Sequence, residues 1–399
     1  MTETIRLGDV VTVERGTTYK SALLGQPGPV LLGLGTIQRH GGFRSDSLRT
    51  YGGESPEKLL VRPGQLYASL KDVTQTADLL GAVAMVPAGG PTGRLTQDTV
   101  RLDLKSSAVD VEYLYWILRT QQYREYCRSH ATGTTTMGLP RDDFFAFEFP
   151  APTTPRRVLV DLLGALDDKI AANAKAVRLL LDLADAHFAS AVRKANFEHL
   201  TFKDVADVGG GGTPRTNIEE YWGGDIAWAT PTDVTALAAP YLKRTSRMIT
   251  GEGFSACASA LYPAGSILMT SRATIGAFAI AQVPTAVNQG FIVVNAKEAR
   301  HQWWLFHEMK SRVQEFLSFA NGATFPELPR GRFKDLKVRL TSQERMDSFG
   351  DLVGTTHAAA ATITAESERL AATRDEVLPL LMSSNVRVRD AVNSLEGAL

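Results

Sequence analysis

Apolar residues recur along the chain at two different spacings, and the change from one to the other divides it into four parts. In residues 156–194, Leu166, Ile170, Asn173, Val177, Leu180, Ala184 and His187 recur at three- and four-residue steps, in a stretch with no proline and the single glycine Gly164. That rhythm predicts an amphipathic helix with a coiled-coil seam. Pro155 suits its start, and at about 1.5 Å per residue it would be on the order of 58 Å long. Residues 342–382 repeat the rhythm through Leu352, Ile363, Glu366, Leu370, Thr373, Val377 and Leu380, with Pro379 placed to kink or end the helix. Two long helices of similar pitch in one chain are expected to pack on each other. Elsewhere short β-like runs (Leu66–Leu70, Ala82–Val86, Phe291–Val294) alternate with turns, and single helices are predicted at Val111–Ser129 and His301–Phe319. The predicted organisation is therefore a mixed α/β domain over residues 1–154, a helical connector over 155–196, a second mixed α/β domain over 197–341, and a second helix with a tail over 342–399.

The two mixed domains read as copies. LGDVVTVERGTTY from Leu7 resembles FKDVADVGGGGTP from Phe202, and GAVAMVP from Gly81 resembles GAFAIAQVP from Gly276. YLYWILRT from Tyr113 resembles HQWWLFHE from His301, and HATGTTTMGLPRDDF from His130 resembles FANGATFPELPRGRF from Phe319. The matches come in the same order at a spacing of about 190 residues, far beyond the 20–50 residues of a solenoid repeat. They predict one duplicated unit consisting of a domain and its connector.

Composition narrows the function. Basic and acidic residues balance at 43 each, so bulk charge does not make this a nucleic-acid coat, although a local basic surface stays open. Residues 1–155 carry 16 basic and 16 acidic side chains, residues 198–341 carry 15 and 13, and the last 58 residues carry 5 and 9, so the acidic end suits protein or solvent better than DNA. The two cysteines, Cys127 and Cys257, lie too far apart for a metal-ligand spacing or a disulfide framework and fit a reducing cytosol. No apolar run is long enough to span a membrane, and the start MTETIRLGDVV lacks the features of a secretion signal.

Enzyme signatures are missing. The glycine run Gly209–Gly212 is followed by Thr213-Pro214-Arg215 instead of the Lys-Ser/Thr of a phosphate loop. Asp225 stands near the distance of a ribose-binding acid but in a turn-like stretch, YWGGDIAW. There is no G-x-S-x-G, no H-E-x-x-H, and no Asn-Pro-Pro-aromatic tetrapeptide of a DNA amino-methyltransferase. Asp167-Asp168-Lys169 reads as the solvated face of the first long helix. No metal site is expected.

Three segments, GGGGTPRTNIEEYWGGDIAWATPTDV (209–234), GATFPELPRGRFKDLKV (322–338) and RDEVLPLLMSSNVRV (374–388), together with the repeat-plus-helix layout, resemble the specificity subunit of type I restriction-modification systems. The resemblance extends over nearly the whole chain. It implies two target-recognition domains related by a pseudo-twofold repeat and separated by two long helices in an antiparallel coiled coil, with Leu166, Ile170, Asn173, Val177, Leu180, Ile363, Leu370 and Val377 along the seam. It also implies a cytoplasmic, non-catalytic subunit that reads an asymmetric, two-part sequence in double-stranded DNA. Its partners would be two copies of a DNA adenine methyltransferase subunit, with restriction and translocase subunits beside them. S-adenosylmethionine, ATP and magnesium would belong to those partners, with no cofactor on this chain. The competing class is a coiled-coil scaffold whose globular ends bind protein.

Candidate DNA contacts follow from side-chain chemistry: Arg reads guanine and Asn or Gln reads adenine through paired hydrogen bonds, while Ser, Thr and Lys reach phosphate or base. In the first domain these are Arg15, Tyr19, Lys20, Ser69, Lys71, Gln97, Thr134, Thr135 and Arg141. In the second they are Gly211, Gly212, Thr213, Arg215, Lys243, Arg244, Ser271, Arg272, Asn288, Gln289, Thr324, Arg330 and Arg332. The glycine run reads in two ways, as backbone that runs close to DNA or as a flexible turn. Trp222 and Trp228 are expected to fill a core. The first domain departs from the pattern, with Glu14-Arg15-Gly16-Thr17 in place of the four glycines.

Overall fold

The computed structural model describes residues 3–74, 76–134, 136–193, 196–321 and 326–383. Thr135, Thr324 and the tail from residue 384 lie outside them. The chain forms two compact units: one holds the residues up to Ile170 together with those from Glu368 on, the other Ala171–Ser367.

In the first unit, β1 (Val11–Arg15), β2 (Val30–Leu32), β3 (Leu60–Val61), β4 (Leu66–Ser69), β5 (Val83–Met85), β6 (Gly93–Leu95) and β7 (Thr99–Leu104) make two sheets. One is antiparallel in the order β1-β7-β4-β5; the other has the order β2-β6-β3, with β2 parallel to β6. Behind them lie α1 (Val111–Ile117), α2 (Gln121–Ser129), α3 (Arg141–Ala146) and the start of α4 (Thr154–Val192). Asp110 opens α1 by accepting the amide of Tyr113 at 2.7 Å. The single helix expected over Val111–Ser129 is two, because Thr120 donates its hydroxyl to the Ile117 carbonyl at 2.7 Å and caps the next helix. Tyr113, Leu114, Trp116, Tyr123, Phe144 and Phe149 are buried in the core.

The second unit repeats this plan with β8 (Ala206–Gly209), β9 (Trp222–Ala229), β10 (Tyr241–Leu242), β11 (Arg247–Ile249), β12 (Ile267–Thr270), β13 (Phe278–Ala281), β14 (Thr285–Val287) and β15 (Phe291–Ala296). Its main sheet runs β8-β15-β12-β13, the order of β1-β7-β4-β5, and adds β10 at the edge. The second sheet runs β11-β9-β14, with β9 parallel to β14 as β2 is to β6. The helix expected over His301–Phe319 again divides, into α5 (Gln302–Ser311) and α6 (Val313–Ser318), at Arg312. That guanidinium is drawn under the helices by Glu308 at 2.9 Å and Glu315 at 2.7 Å. α7 (Arg330–Lys334) and α8 (Gln343–Val377) complete the unit.

Each unit takes a piece of both long helices. In the first, Leu159, Val160 and Leu163 of α4 share a core with Val377 and Leu381, and Leu166 is buried. Asp167 is not on a solvated face: it accepts hydrogen bonds from Arg374 at 2.7 Å and Arg119 at 2.8 Å, while Asp168 and Lys169 stay exposed. In the second, Val177 packs with Ala360, Leu180 and Ile363, and Asn173 donates to Glu366 at 2.7 Å. Ile170 and Leu370 are half-buried. Leu352 is exposed, and its neighbour Val353 takes the buried position. α8 ends at Val377, and Pro379 lies in a single 3-10 turn, Leu378–Met382.

A chain of polar side chains lies within the second unit. The Tyr241 hydroxyl is 2.8 Å from His357 Nδ1, His357 Nε2 is 3.0 Å from His307 Nε2, and His307 Nδ1 is 2.9 Å from Asp185, which also accepts from Lys310 at 2.6 Å. Asp185 accepts, so His307 donates from Nδ1 and accepts at Nε2; His357 then donates from Nε2, and Tyr241 donates to His357 Nδ1. With both rings neutral every member is satisfied, and a further proton would set two N–H groups against each other. Burial, reinforced by the neighbouring His307, holds the His357 imidazole down to about 3. Burial likewise lowers His307, opposed by Asp185.

Candidate nucleic-acid interface

The glycine run is a strap held against the domain's own backbone. A Cβ on Gly211 would lie 1.7 Å from the Val287 carbonyl oxygen, and the Gly212 amide donates to that oxygen at 3.1 Å. Trp228 Nε1 and the Cys257 thiol donate to the Gly212 carbonyl at 3.1 and 3.3 Å, and the Tyr262 hydroxyl donates to the Gly210 carbonyl at 2.6 Å. Glycine is therefore required at 211 by an intramolecular crossing, so the run is a held strap and not a flexible turn. Gly211 and Gly212 stay half-buried. The strap's outward residues are Thr213 and Arg215, both exposed.

In the first unit the structure gathers Arg15, Lys71, Gln97 and Arg141 around one concavity of 330 Å³ between the end of β1 and the Leu139-Pro140-Arg141 turn. Lys71 leans 3.5 Å from Asp98, and Arg141 stacks on the Phe145 ring at 5.2 Å. Thr134 is exposed nearby in sequence to this turn. Tyr19 and Lys20 belong to the exposed loop after β1, where Tyr19 packs edge-on against Tyr51 at 6.1 Å and the Lys20 amide donates to the Tyr51 hydroxyl at 3.3 Å. Ser69 is fully buried; its hydroxyl donates to the Lys71 carbonyl, so it shapes the loop and offers nothing to a ligand.

In the second unit Thr213 donates to Gln289 at 2.6 Å, which brings the strap and the β14–β15 turn together. Asn288 is half-buried and its Oδ1 accepts the Gly290 amide at 2.8 Å, so that oxygen serves the turn. Ser271 is buried, with its backbone bridging Gly290 and Leu328, and leaves the list of contacts. Arg272 pairs with Glu327 at 2.9 Å. Arg330 is exposed and lies against Gly210, while Arg332 stacks on Phe319 at 4.6 Å. Lys243 and Arg244 are not part of this group. They line a separate 530 Å³ concavity with Asp225, Ala227 and Met248, on the side of the β9–β11 pair opposite to Trp228 and Arg247.

Two features escape sequence reasoning. Arg94 is buried, donates to Thr17 Oγ1 at 3.0 Å and the Thr18 carbonyl at 3.3 Å, and so fixes the first domain's loop from beneath. Arg247 rests on Trp222, with its guanidinium carbon 3.3 Å from the ring centroid. A basic residue facing a tryptophan across a strand pair is the signal, visible once the register is known. Trp228 is buried as expected, whereas Trp222 is half-exposed beneath Arg247. Among the described residues no group of three or more His, Cys, Asp or Glu side chains could hold a metal ion, and no helix is long and apolar enough to cross a membrane.

Residues 194–345, which include the second mixed α/β domain, match the family described as type I restriction modification DNA specificity domain. The MjaIX type I restriction enzyme specificity subunit of Methanocaldococcus jannaschii is 38% identical over 153 residues, 38% of this chain and 35% of that relative, so the match spans about a third of the relative's length. The type I restriction-modification S subunit of M. genitalium shares the fold over 96% of both chains, with a TM-score of 0.60 at 13% identity. The strap-bearing domain thus matches a type I restriction modification DNA specificity domain, and the chain as a whole shares the fold of the M. genitalium S subunit.

Proposed function

We propose that this chain is the sequence-reading subunit of a type I restriction-modification complex, in which each recognition domain reads one half of an asymmetric, two-part DNA target. The observation that carries this is the duplication: two domains whose main sheets share a four-strand order, one of them matching a DNA specificity domain, present different residues at equivalent edges. Different residues at the same edge suit two different half-sites. The paired helices serve as a spacer that sets the unread gap, since each base pair adds about 3.4 Å and roughly a tenth of a turn. Methylation and cleavage belong to partner subunits: two copies of an adenine methyltransferase, joined by restriction and translocase subunits in the complete enzyme. S-adenosylmethionine, ATP and magnesium act on those partners, in the cytoplasm. The contact set is Arg15, Lys71, Gln97 and Arg141 in one domain and Thr213, Arg215, Gln289, Arg272 and Arg330 in the other.

Sequencing of modified bases in cells with and without this chain tests the proposal. A motif of two short specified blocks at a fixed gap, present only with the chain, is expected. A contiguous motif, or methylation indifferent to the chain, would refute it.

A further inference from the structure

We infer that Arg247 is a specificity-determining residue of the second recognition domain, presenting a fixed guanidinium fork to a guanine edge within the half-site that this domain reads. The inference rests on the DNA-reading function proposed above. Arg247 begins β11 directly across from Trp228 in β9. Its guanidinium carbon lies 3.3 Å from the Trp222 ring centroid and 5.9 Å from that of Trp228, and the two indoles meet edge to face at 5.1 Å. The residue is exposed, and no carboxylate among the described residues pairs with it, whereas Arg272 is tied to Glu327.

Stacking on an indole fixes the plane of the guanidinium without neutralising its charge. Much of the side-chain freedom that an extended arginine would lose on binding is already gone. The same indoles anchor the strap: Trp228 Nε1 donates to the Gly212 carbonyl at 3.1 Å and Trp222 Nε1 to the Arg215 carbonyl at 3.4 Å. Arg247 therefore belongs with the strap that presents Thr213 and Arg215, unlike Lys243 and Arg244. Two N–H donors in a preset plane match O6 and N7 of guanine, a task for which an ammonium is a poor substitute.

The test compares Arg247→Ala and Arg247→Lys in the full chain with its methyltransferase partner, read by sequencing of modified bases in cells. Both variants are expected to relax one position of one half-site, with methylation of sites bearing another base there rising about 10- to 100-fold over wild type. The other half-site and the gap stay unchanged. Full discrimination retained by Arg247→Lys would mean that charge alone suffices, as at a phosphate, and would overturn the inference. So would an even loss at every position, or an unaltered motif in Arg247→Ala. A wild-type chain that yields no two-part motif would instead bring down the function itself, which separates the two failures.

Discussion

Glu14-Arg15-Gly16-Thr17 of the first domain and Gly209-Gly210-Gly211-Gly212 of the second occupy the same place, at the end of the edge strand of equivalent sheets. One glycine is common to both, and it is the one the backbone demands. A Cβ on Gly16 would lie 1.9 Å from the Thr96 carbonyl oxygen, as one on Gly211 would lie 1.7 Å from that of Val287. At the other three positions the domains part company. Gly209 leaves room for Tyr262, and Gly210 leaves room for the Arg330 guanidinium where the first domain has Arg15 itself. The first loop is pinned by Arg94 from below, the second by Tyr262, Trp228 and Cys257. Duplication kept the crossing and let the outward chemistry change.

The strongest way to break this comparison is at the shared glycine. Gly16→Ala and Gly211→Ala should each destabilise the chain by about 4 kcal/mol or more, because each would strike a hydrogen-bonded backbone carbonyl, that of Thr96 or of Val287, that has nowhere to go. Gly210→Ala should cost under about 1 kcal/mol, since what it meets first is the movable end of Arg330. Chemical denaturation of the three variants checks this, and equal effects at 210 and 211 would refute the distinction.

A step smaller is Glu308, fully buried and accepting from Arg312 at 2.9 Å, from Arg339 Nε at 2.9 Å and from the Arg339 amide at 3.1 Å. Glu308→Ala should lower stability by about 3 kcal/mol, because it strands buried guanidinium charge. The corresponding anchor in the first unit, Asp167 beneath Arg119, is partly exposed, so Asp167→Ala should cost less. Unfolding midpoints of the two variants measure the difference.

A further effect is graded with acidity. His357 and His307 are held neutral in the fold, so below their ordinary value of 6.5 the unfolded chain binds protons that the folded chain refuses. Stability is fully present above 6.5 and falls as pH drops toward about 3, the value at which folded His357 takes up its proton. The slope is at most about 1.4 kcal/mol per pH unit for each ring. Among the described residues of the first unit no histidine is buried, so acid should melt the second unit first. Thermal scans from pH 7 to 4 with hydrogen exchange assigned to each unit would show it. Simultaneous loss of both units would count against it.

The repeat was legible because it is written in order, in short matched strings, and the long helices because their apolar period runs for many turns. Their phase was less so: Val353 was hidden behind its equally apolar neighbour Leu352, and Asn173–Glu366 and Asp167–Arg374 join residues about two hundred positions apart. The breaks at Thr120 and Arg312 depend on a hydroxyl and a buried ion pair that a hydrophobic period does not register. In the candidate interface, side-chain chemistry brought Arg15, Lys71, Gln97 and Arg141 onto one list without showing that they share a concavity. The same chemistry could not tell exposed Thr213 from buried Ser271, because burial there is set by strand register. Arg247 was passed over because its importance lies in the ring beneath it.

The Arg156 guanidinium, buried in the first unit, donates to the carbonyls of Leu381 and Ser383 at 3.0 and 2.8 Å, and Val377 and Leu381 fill the same core as Leu159 and Leu163. The first unit is thus assembled from two stretches that flank the second unit in sequence, while the second is continuous. As the ribosome elongates the chain, the second unit has all its parts first, and the earlier-made one waits with an apolar stripe uncovered until residues near 380 emerge. A stop placed near Leu370 would therefore damage the unit built around Leu159 and Leu163, some two hundred positions earlier.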